Sequence, residues 1–272
     1  MSPPDGATVS VVIPTHNRRD LVCRAIRSVL AQTRAPGEIL VVDDGSTDDT
    51  ATHLSREHPE VVVLVQENRG VSAARNRGIL ASRGSLIAFL DSDDEWLERK
   101  LERQLEAMDS SPDIPLCHTE EIWIRRGRRV NPMKKHQKFG GHIFERALPR
   151  CVISPSSALA HRRLFEEAGL FDESLPACED YDLWLRVTAR FAVLFVDEPL
   201  IVKYGGHEDQ LSRRHWGMDR FRIRALEKIL AERILREGDR RAAEAALARK
   251  VEIFTRGARK REAPRPPSPA AP

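Results

Sequence analysis

The stretch Leu86-Ile87-Ala88-Phe89-Leu90-Asp91-Ser92-Asp93-Asp94-Glu95-Trp96 sets an apolar run directly against a cluster of acids. A short apolar run bounded in this way reads as a buried strand. Acids crowded at its carboxyl end repel one another unless a cation or a hydroxyl-rich ligand stands between them. A divalent metal with a phosphorylated ligand is the economical occupant.

Working outward, strand-like and helix-like patterns alternate through the first 110 residues. Val9 to Ile13 reads as strand one. Leu21, Val22, Ala25, Ile26, Val29 and Leu30 share one face of a helix that stops near Pro36-Gly37. Ile39 to Val42 is strand two, Ser46 is expected to cap the next helix, Val61 to Val65 is strand three, and Val71 to Ala81 is a third helix. This alternation is the signature of βαβ units in a parallel sheet with right-handed crossovers. Ligands bind such sheets outside the carboxyl ends of the strands. There strand one runs into Pro14-Thr15-His16-Asn17, strand two into Asp43-Asp44-Gly45-Ser46, and strand four into Asp91-Ser92-Asp93. The three ends fall on one rim and can contact one ligand.

Composition limits the class. With 272 residues and 41% hydrophobic content, the chain can bury a full core, as one large α/β domain with an appendage. Its apolar runs fall far short of the roughly 18 residues of a membrane helix, and Met1 to Asp5 does not read as a signal peptide. Cys23, Cys117, Cys151 and Cys178 are scattered without CxxC spacing, which points to a reducing, cytoplasmic setting. The 44 basic and 41 acidic residues nearly balance, so no nucleic-acid partner is expected. Local basic clusters, Arg125-Arg126-Gly127-Arg128-Arg129 with Lys134, Lys135 and Lys138, and Arg249-Lys250 through Arg261, read as solvated faces. Their sharper alternative is peripheral contact with a membrane surface or a phosphorylated acceptor.

Five ordered motifs carry a family resemblance: Ser10-Val11-Val12-Ile13-Pro14-Thr15-His16-Asn17-Arg18, Val41-Val42-Asp43-Asp44-Gly45-Ser46-Thr47-Asp48, Asn68-Arg69-Gly70 through Arg75-Asn76, Asp91-Ser92-Asp93, and Glu179-Asp180-Tyr181-Asp182-Leu183-Trp184. In order and spacing they resemble the family 2 glycosyltransferases across roughly residues 8 to 210. The resemblance implies an α/β GT-A fold: a doubly wound, mostly parallel sheet with a Rossmann-like nucleotide-binding half, a mixed acceptor-side region and, here, a C-terminal helical extension. The expected organisation is a flexible N-terminus at 1–7, the GT-A domain at 8–212 (nucleotide-sugar half 8–110, acceptor half 111–212), helices at 213–260, and a proline-rich disordered tail at 261–272. The helical part is read as two apolar stripes divided at Gly238-Asp239.

The resemblance also implies a nucleotide-sugar donor, with a uridine nucleotide as first choice, and direct, inverting transfer to a saccharide or lipid-linked acceptor. Pro14, Thr15, Asn17, Asp43, Asp44, Arg75, Asp91, Ser92 and Asp93 are the candidate nucleotide-sugar residues. Asp93, with Asp91 nearby, would hold Mn2+ or Mg2+, since such cations take carboxylate and diphosphate oxygens. His207 is a further candidate metal or diphosphate ligand. Asp180 is the candidate general base, with Glu179 and Trp184 on the acceptor side, and Cys178 is read as a packing residue. Gln210-Leu211-Ser212-Arg213 is followed by Arg214, which departs from the QxxRW motif of processive synthases and points to transfer of a single sugar. Two rivals stay open: a sugar-nucleotide-forming nucleotidyltransferase, disfavoured by the missing Gly-rich phosphate loop after strand one, and a non-catalytic carbohydrate or nucleotide binder. The oligomeric state is not read.

Overall fold

A computed structural model describes residues 8–131, 133, 136–206 and 217–262. The strands β1 (Val9–Thr15), β2 (Glu38–Asp43), β3 (Val62–Val65) and β4 (Leu86–Phe89) alternate with α1 (Arg19–Leu30), α2 (Thr50–Glu57) and α3 (Val71–Ala81). The strands pair in parallel in the order β3-β2-β1-β4. The ladder continues past the strands, with Asp44 N–H donating to Thr15 O at 2.9 Å and Leu90 N–H to Val12 O at 3.1 Å. The loops that follow β1, β2 and β4 are therefore held at one level of the sheet.

Strand alternation sorts the core onto two faces. Val9, Val11, Ile13, Leu86 and Ala88 pack with Val22, Ala25, Ile26 and Val29 of α1. Val12, Ile87 and Phe89 pack on the other face with Ala74 and Ile79 of α3. The approach of α3 to β1 is close enough that a Cβ on Gly78 would lie 2.3 Å from Val12 Cγ1, so this helix position admits only glycine without repacking.

The second half mixes strand directions. In chain order come β5 (Glu95–Trp96), α4 (Lys100–Asp109), β6 (Leu116–Arg125), β7 (Arg128–Val130), α5 (Phe144–Ala147), β8 (Leu159–His161), α6 (Arg163–Ala168), α7 (Glu179–Thr188) and β9 (Leu194–Gly205). The described sheet runs β3-β2-β1-β4-β8-β6-β9-β5, with β7 paired to β6. β8 is antiparallel to β4 and β6, and β9 is parallel to β6. The β6–β9 register slips where Glu120 faces Pro199; proline, lacking an N–H, is at home at such an irregularity. The basic cluster at 125–129 is a hairpin between β6 and β7, with Arg126 at φ 50° and Gly127 at φ 71° in its turn.

Two helices follow, α8 (Asp219–Ala231) and α9 (Glu237–Glu262). Phe221, Ala225, Leu226, Ile229 and Ala243 bury themselves against Tyr181 and Leu185 of α7 and Phe144 of α5. The expected break at Gly238-Asp239 lies instead inside the first turn of α9, after a connection at 232–236, and α9 runs two residues past the expected limit of 260. Ser46 is not a helix cap. Asp48 Oδ1 accepts the backbone N–H of Thr50 at 3.3 Å, and Ser46 serves the loop described below.

Lys100 of α4 is fully buried; its Nζ donates to Gln104 Oε1 at 2.6 Å and lies 3.9 Å from the Trp96 ring centroid. Burial lowers its pKa from 10.5 to about 7. In the interval between, the unfolded chain holds a proton that the folded protein has released, so stability rises with pH there. Denaturant unfolding followed from pH 7 to 10 is expected to show this rise, at up to about 1.4 kcal/mol for each pH unit. Lys100→Met should flatten the rise and be the more stable protein at pH 7 by a few kcal/mol.

Candidate active site

The carboxyl ends of β1, β2 and β4 open into two adjoining compartments. The larger, about 330 Å³, is lined by Arg75, Asp91, Ser92, Asp93, Asp94, Glu179 and Asp180 among others, and the smaller, about 160 Å³, by Thr15, His16, Asp44, Asn68 and Gly70. Pro14, Arg18, Val71 and Ser92 line both, which makes one continuous cleft.

In the smaller compartment Asp44 organises the wall. Its Oδ1 accepts Gln66 Nε2 at 2.7 Å and Arg69 N–H at 2.9 Å, and its Oδ2 accepts Gly70 N–H at 2.8 Å. Thr15 Oγ1 is buried with no hydrogen-bond partner among the described residues, a polar atom that a ligand group would satisfy. Asp43 accepts Ser46 N–H at 2.8 Å and Asn17 accepts Thr47 N–H at 2.7 Å, while Ser46 Oγ accepts Asn17 N–H at 2.8 Å. These bonds bolt the loop after β1 to the loop after β2. Asp43 and Asn17 therefore shape the compartment rather than line it.

In the larger compartment Arg75 is buried between two carboxylates, donating to Asp91 Oδ1 and to Glu179 Oε1, each at 2.7 Å. Burial opposes both charges, but the guanidinium prevails at Asp91 and holds it below the usual carboxylate range. At Glu179 burial and the neighbouring Asp180 prevail and push the carboxyl up. Asp93 Oδ2 pairs with Arg18 at 3.1 Å. Asp94 borders the compartment but is buried, its carboxylate accepting Ser156 Oγ at 2.7 Å and Tyr204 N–H at 3.2 Å, and burial pushes its pKa well up.

Asp180 stands in the first turn of α7, after Cys178 at φ 62°. Its Oδ1 accepts Tyr181 N–H at 2.7 Å and its Oδ2 accepts the Cys151 thiol at 3.3 Å. Burial, then Asp180, push the Cys151 thiol well above its ordinary value, so it acts as a neutral donor.

Residues 10–169 match the sequence profile of Glycosyl transferase family 2. The chain belongs to this family. An uncharacterised glycosyltransferase of Rickettsia conorii is 34% identical over 194 residues, 71% of this chain and 32% of the relative, so the chain spans about a third of that protein's length. WfaP of Escherichia coli, a UDP-Glc:alpha-D-GlcNAc-diphosphoundecaprenol beta-1,3-glucosyltransferase, is 28% identical over 67% of this chain and 70% of its own. Among solved structures, S. aureus TarS 1-349 in complex with UDP-GlcNAc matches with a TM-score of 0.71 at 20% identity, over 90% of this chain and 71% of that one. The mannosyltransferase PcManGT of Pyrobaculum calidifontis, in complex with GDP-Man and Mn2+, gives 0.65 at 17% identity, over 95% and 81%. These likenesses establish the shared GT-A fold.

For this family 2 chain the cleft gathers Pro14, Thr15, Asp44, Arg75, Asp91, Ser92, Asp93, Glu179 and Asp180 from among the candidates. Trp184 is a correction. It is 1% exposed and lies in the core with Leu183, Val187 and Phe165, because the apolar stripe of α7 that carries it faces the sheet. Cys178 does pack as expected, yet it also lines the cleft. His207 and the Gln210–Arg214 segment lie outside the described residues. Sequence reading missed Arg18, Cys151, Lys203 and Arg222, all of which line the larger compartment. Lys203 of β9 donates to Ser154 Oγ at 2.9 Å; burial opposes its charge, but Glu121, Asp94, Asp91 and Asp180 together raise its pKa.

Removing Arg75 leaves the buried Glu179 and the half-buried Asp91 without their common cation. Arg75→Met is expected to cost about 3–5 kcal/mol in denaturant unfolding, and adding Glu179→Gln should restore part of the loss; equal stability of Arg75→Met and the parent protein would contradict the bridge.

Proposed function

We propose that the cleft transfers one sugar from a nucleoside-diphosphate sugar to an acceptor hydroxyl with inversion, Asp180 acting as general base. The observation that carries this reading is the enclosure in one compartment of Asp91 and Asp93, at the end of β4, with Asp180, at the start of α7. In this reading the base and ribose lie in the smaller compartment against Thr15 and Asp44, and residues 8–110 form the donor half and 111–212 the acceptor half. WfaP's name specifies UDP-Glc and TarS was solved with UDP-GlcNAc, which supports a uridine donor; PcManGT was solved with GDP-Man on the same fold. WfaP's name also specifies a diphosphoundecaprenol-linked acceptor, which supports a saccharide carried on a lipid. Among the described residues no helix is long and apolar enough to cross a membrane.

The chemistry needs a proton acceptor and a sink for the charge of the leaving diphosphate. Asp180, at the positive end of α7 and held by Tyr181 N–H and the Cys151 thiol, can take the acceptor proton as the hydroxyl attacks the anomeric carbon. Arg18 and Lys203 add positive charge to the leaving-group side. The described residues contain no group of three or more His, Cys, Asp and Glu able to hold a metal by themselves. A cation that draws its other oxygens from diphosphate and water needs only one or two carboxylates, and Asp93 with Asp91 fits that demand. Bound there, Mn2+ or Mg2+ would neutralise the departing diphosphate.

Release of nucleoside diphosphate from a panel of sugar nucleotides, with either metal, tests the reading. Metal-dependent release from one donor is expected, and Asp93→Ala should abolish it. Asp180→Asn should lower transfer by about 10²–10⁴-fold while nucleotide affinity holds within a few-fold. No binding or turnover of any donor would overturn the transferase reading.

A further inference from the structure

The C-terminal helices do more than pack. Met218 and Arg222, at the start of α8, line the same compartment as Asp180, and Cys178 Sγ lies 3.8 Å from Met218 O, which docks this turn against the start of α7. The nucleoside compartment does not include Arg222.

At this corner one carboxylate is shared, while the charges of Glu179 and Asp180 reach it at Cys178. Asp219 Oδ1 pairs with Arg222 Nη1 at 3.0 Å and also with Lys250 Nζ, from α9, at 3.3 Å. Two cations share one carboxylate. The flanking thiols add no negative charge, since burial pushes Cys178 up to about 12 and Cys151 well above its ordinary value. Lys250 is buried, its Nζ otherwise donating to Pro149 O at 2.9 Å. Arg222 Nε is buried with no hydrogen-bond partner among the described residues. An arginine in the first turns also faces the positive end of the helix dipole, so helix stability does not account for its place.

We propose that Arg222, backed by Lys250, forms a subsite for a phosphate group carried by the acceptor. This rests on the transferase reading and adds to it the class of acceptor: a phosphorylated saccharide, whether free or esterified to a lipid. A guanidinium is suited to this because its planar fork binds phosphate oxygens through charge-assisted hydrogen bonds. Lys250, sharing Asp219, keeps that carboxylate from cancelling the guanidinium charge.

The test uses the full chain saturated with UDP and Mn2+, so that the donor subsite is filled before the probe is added. Hexose 1-phosphates and their parent hexoses are then titrated by calorimetry. Phosphorylated sugars are expected to bind about tenfold tighter or better, the equivalent of about 1.4 kcal/mol. Arg222→Gln should erase the preference and Arg222→Lys should keep part of it. If the parent protein binds UDP but shows no preference for phosphorylated sugars, or Arg222→Gln retains that preference, the subsite is overturned and the transferase reading stands. A parent protein that binds no nucleoside diphosphate overturns both. Should Arg222→Gln fail to fold, the parent protein and Arg222→Lys still decide the question. With the preference established, undecaprenyl-linked and free sugar phosphates compared as transfer acceptors separate the two sources.

Discussion

Asp91 and Glu179 are far apart in the chain, one just after β4 and the other opening α7, and share one guanidinium. Arg75 reaches them from α3, with the Phe171 ring 5.2 Å away. Burial acts against the charge of both carboxylates, and the guanidinium works against burial at each. The bridge thus joins the end of β4 to the start of α7, and the position of Asp180 follows from it. An apolar substitute for such a buried triad can be the more stable solution; it would not leave carboxylates lining a polar cleft.

The acids after β4 show how one run of like residues acquires different duties. Strand geometry ends at Phe89, and the following turn sends Asp91 to Arg75, Asp93 to Arg18 and Asp94 inward to Ser156 and Tyr204. Asp94 fastens β9 and the turn at 155–157 around the other two. Its neighbours Asp91 and Asp93 face the cleft, each with a guanidinium beside it.

The parallel half was legible because its signals are local: apolar runs of strand length, the α1 stripe, and loops carrying Asp43-Asp44 and the acid triplet. The second half rests on pairings between distant segments, and local pattern fails there. Glu95 and Trp96 do not read as a strand until Val202 and Ile201 are brought beside them. Lys100, buried on α4, carries the side chain of a solvated residue. Lys203 and Arg222 look like ordinary surface cations until β9 and α8 reach the cleft. Trp184 shows the opposite limit, since nearness in sequence to Asp180 says nothing about which face of α7 a side chain occupies.

The lacing of Asn17, Ser46 and Thr47 has a consequence for affinity. Two loops that would otherwise move independently are one body, because Asn17 both donates to Ser46 and accepts from Thr47, while His16 Nδ1 lies 2.9 Å from Asp44 O. The nucleoside proposed to lie beside Thr15 would meet a preorganised wall, with little conformational entropy left to lose on binding. The ordering of both loops is thus completed during folding, where the rest of the core offsets it, and the proposed ligand would not have to supply it.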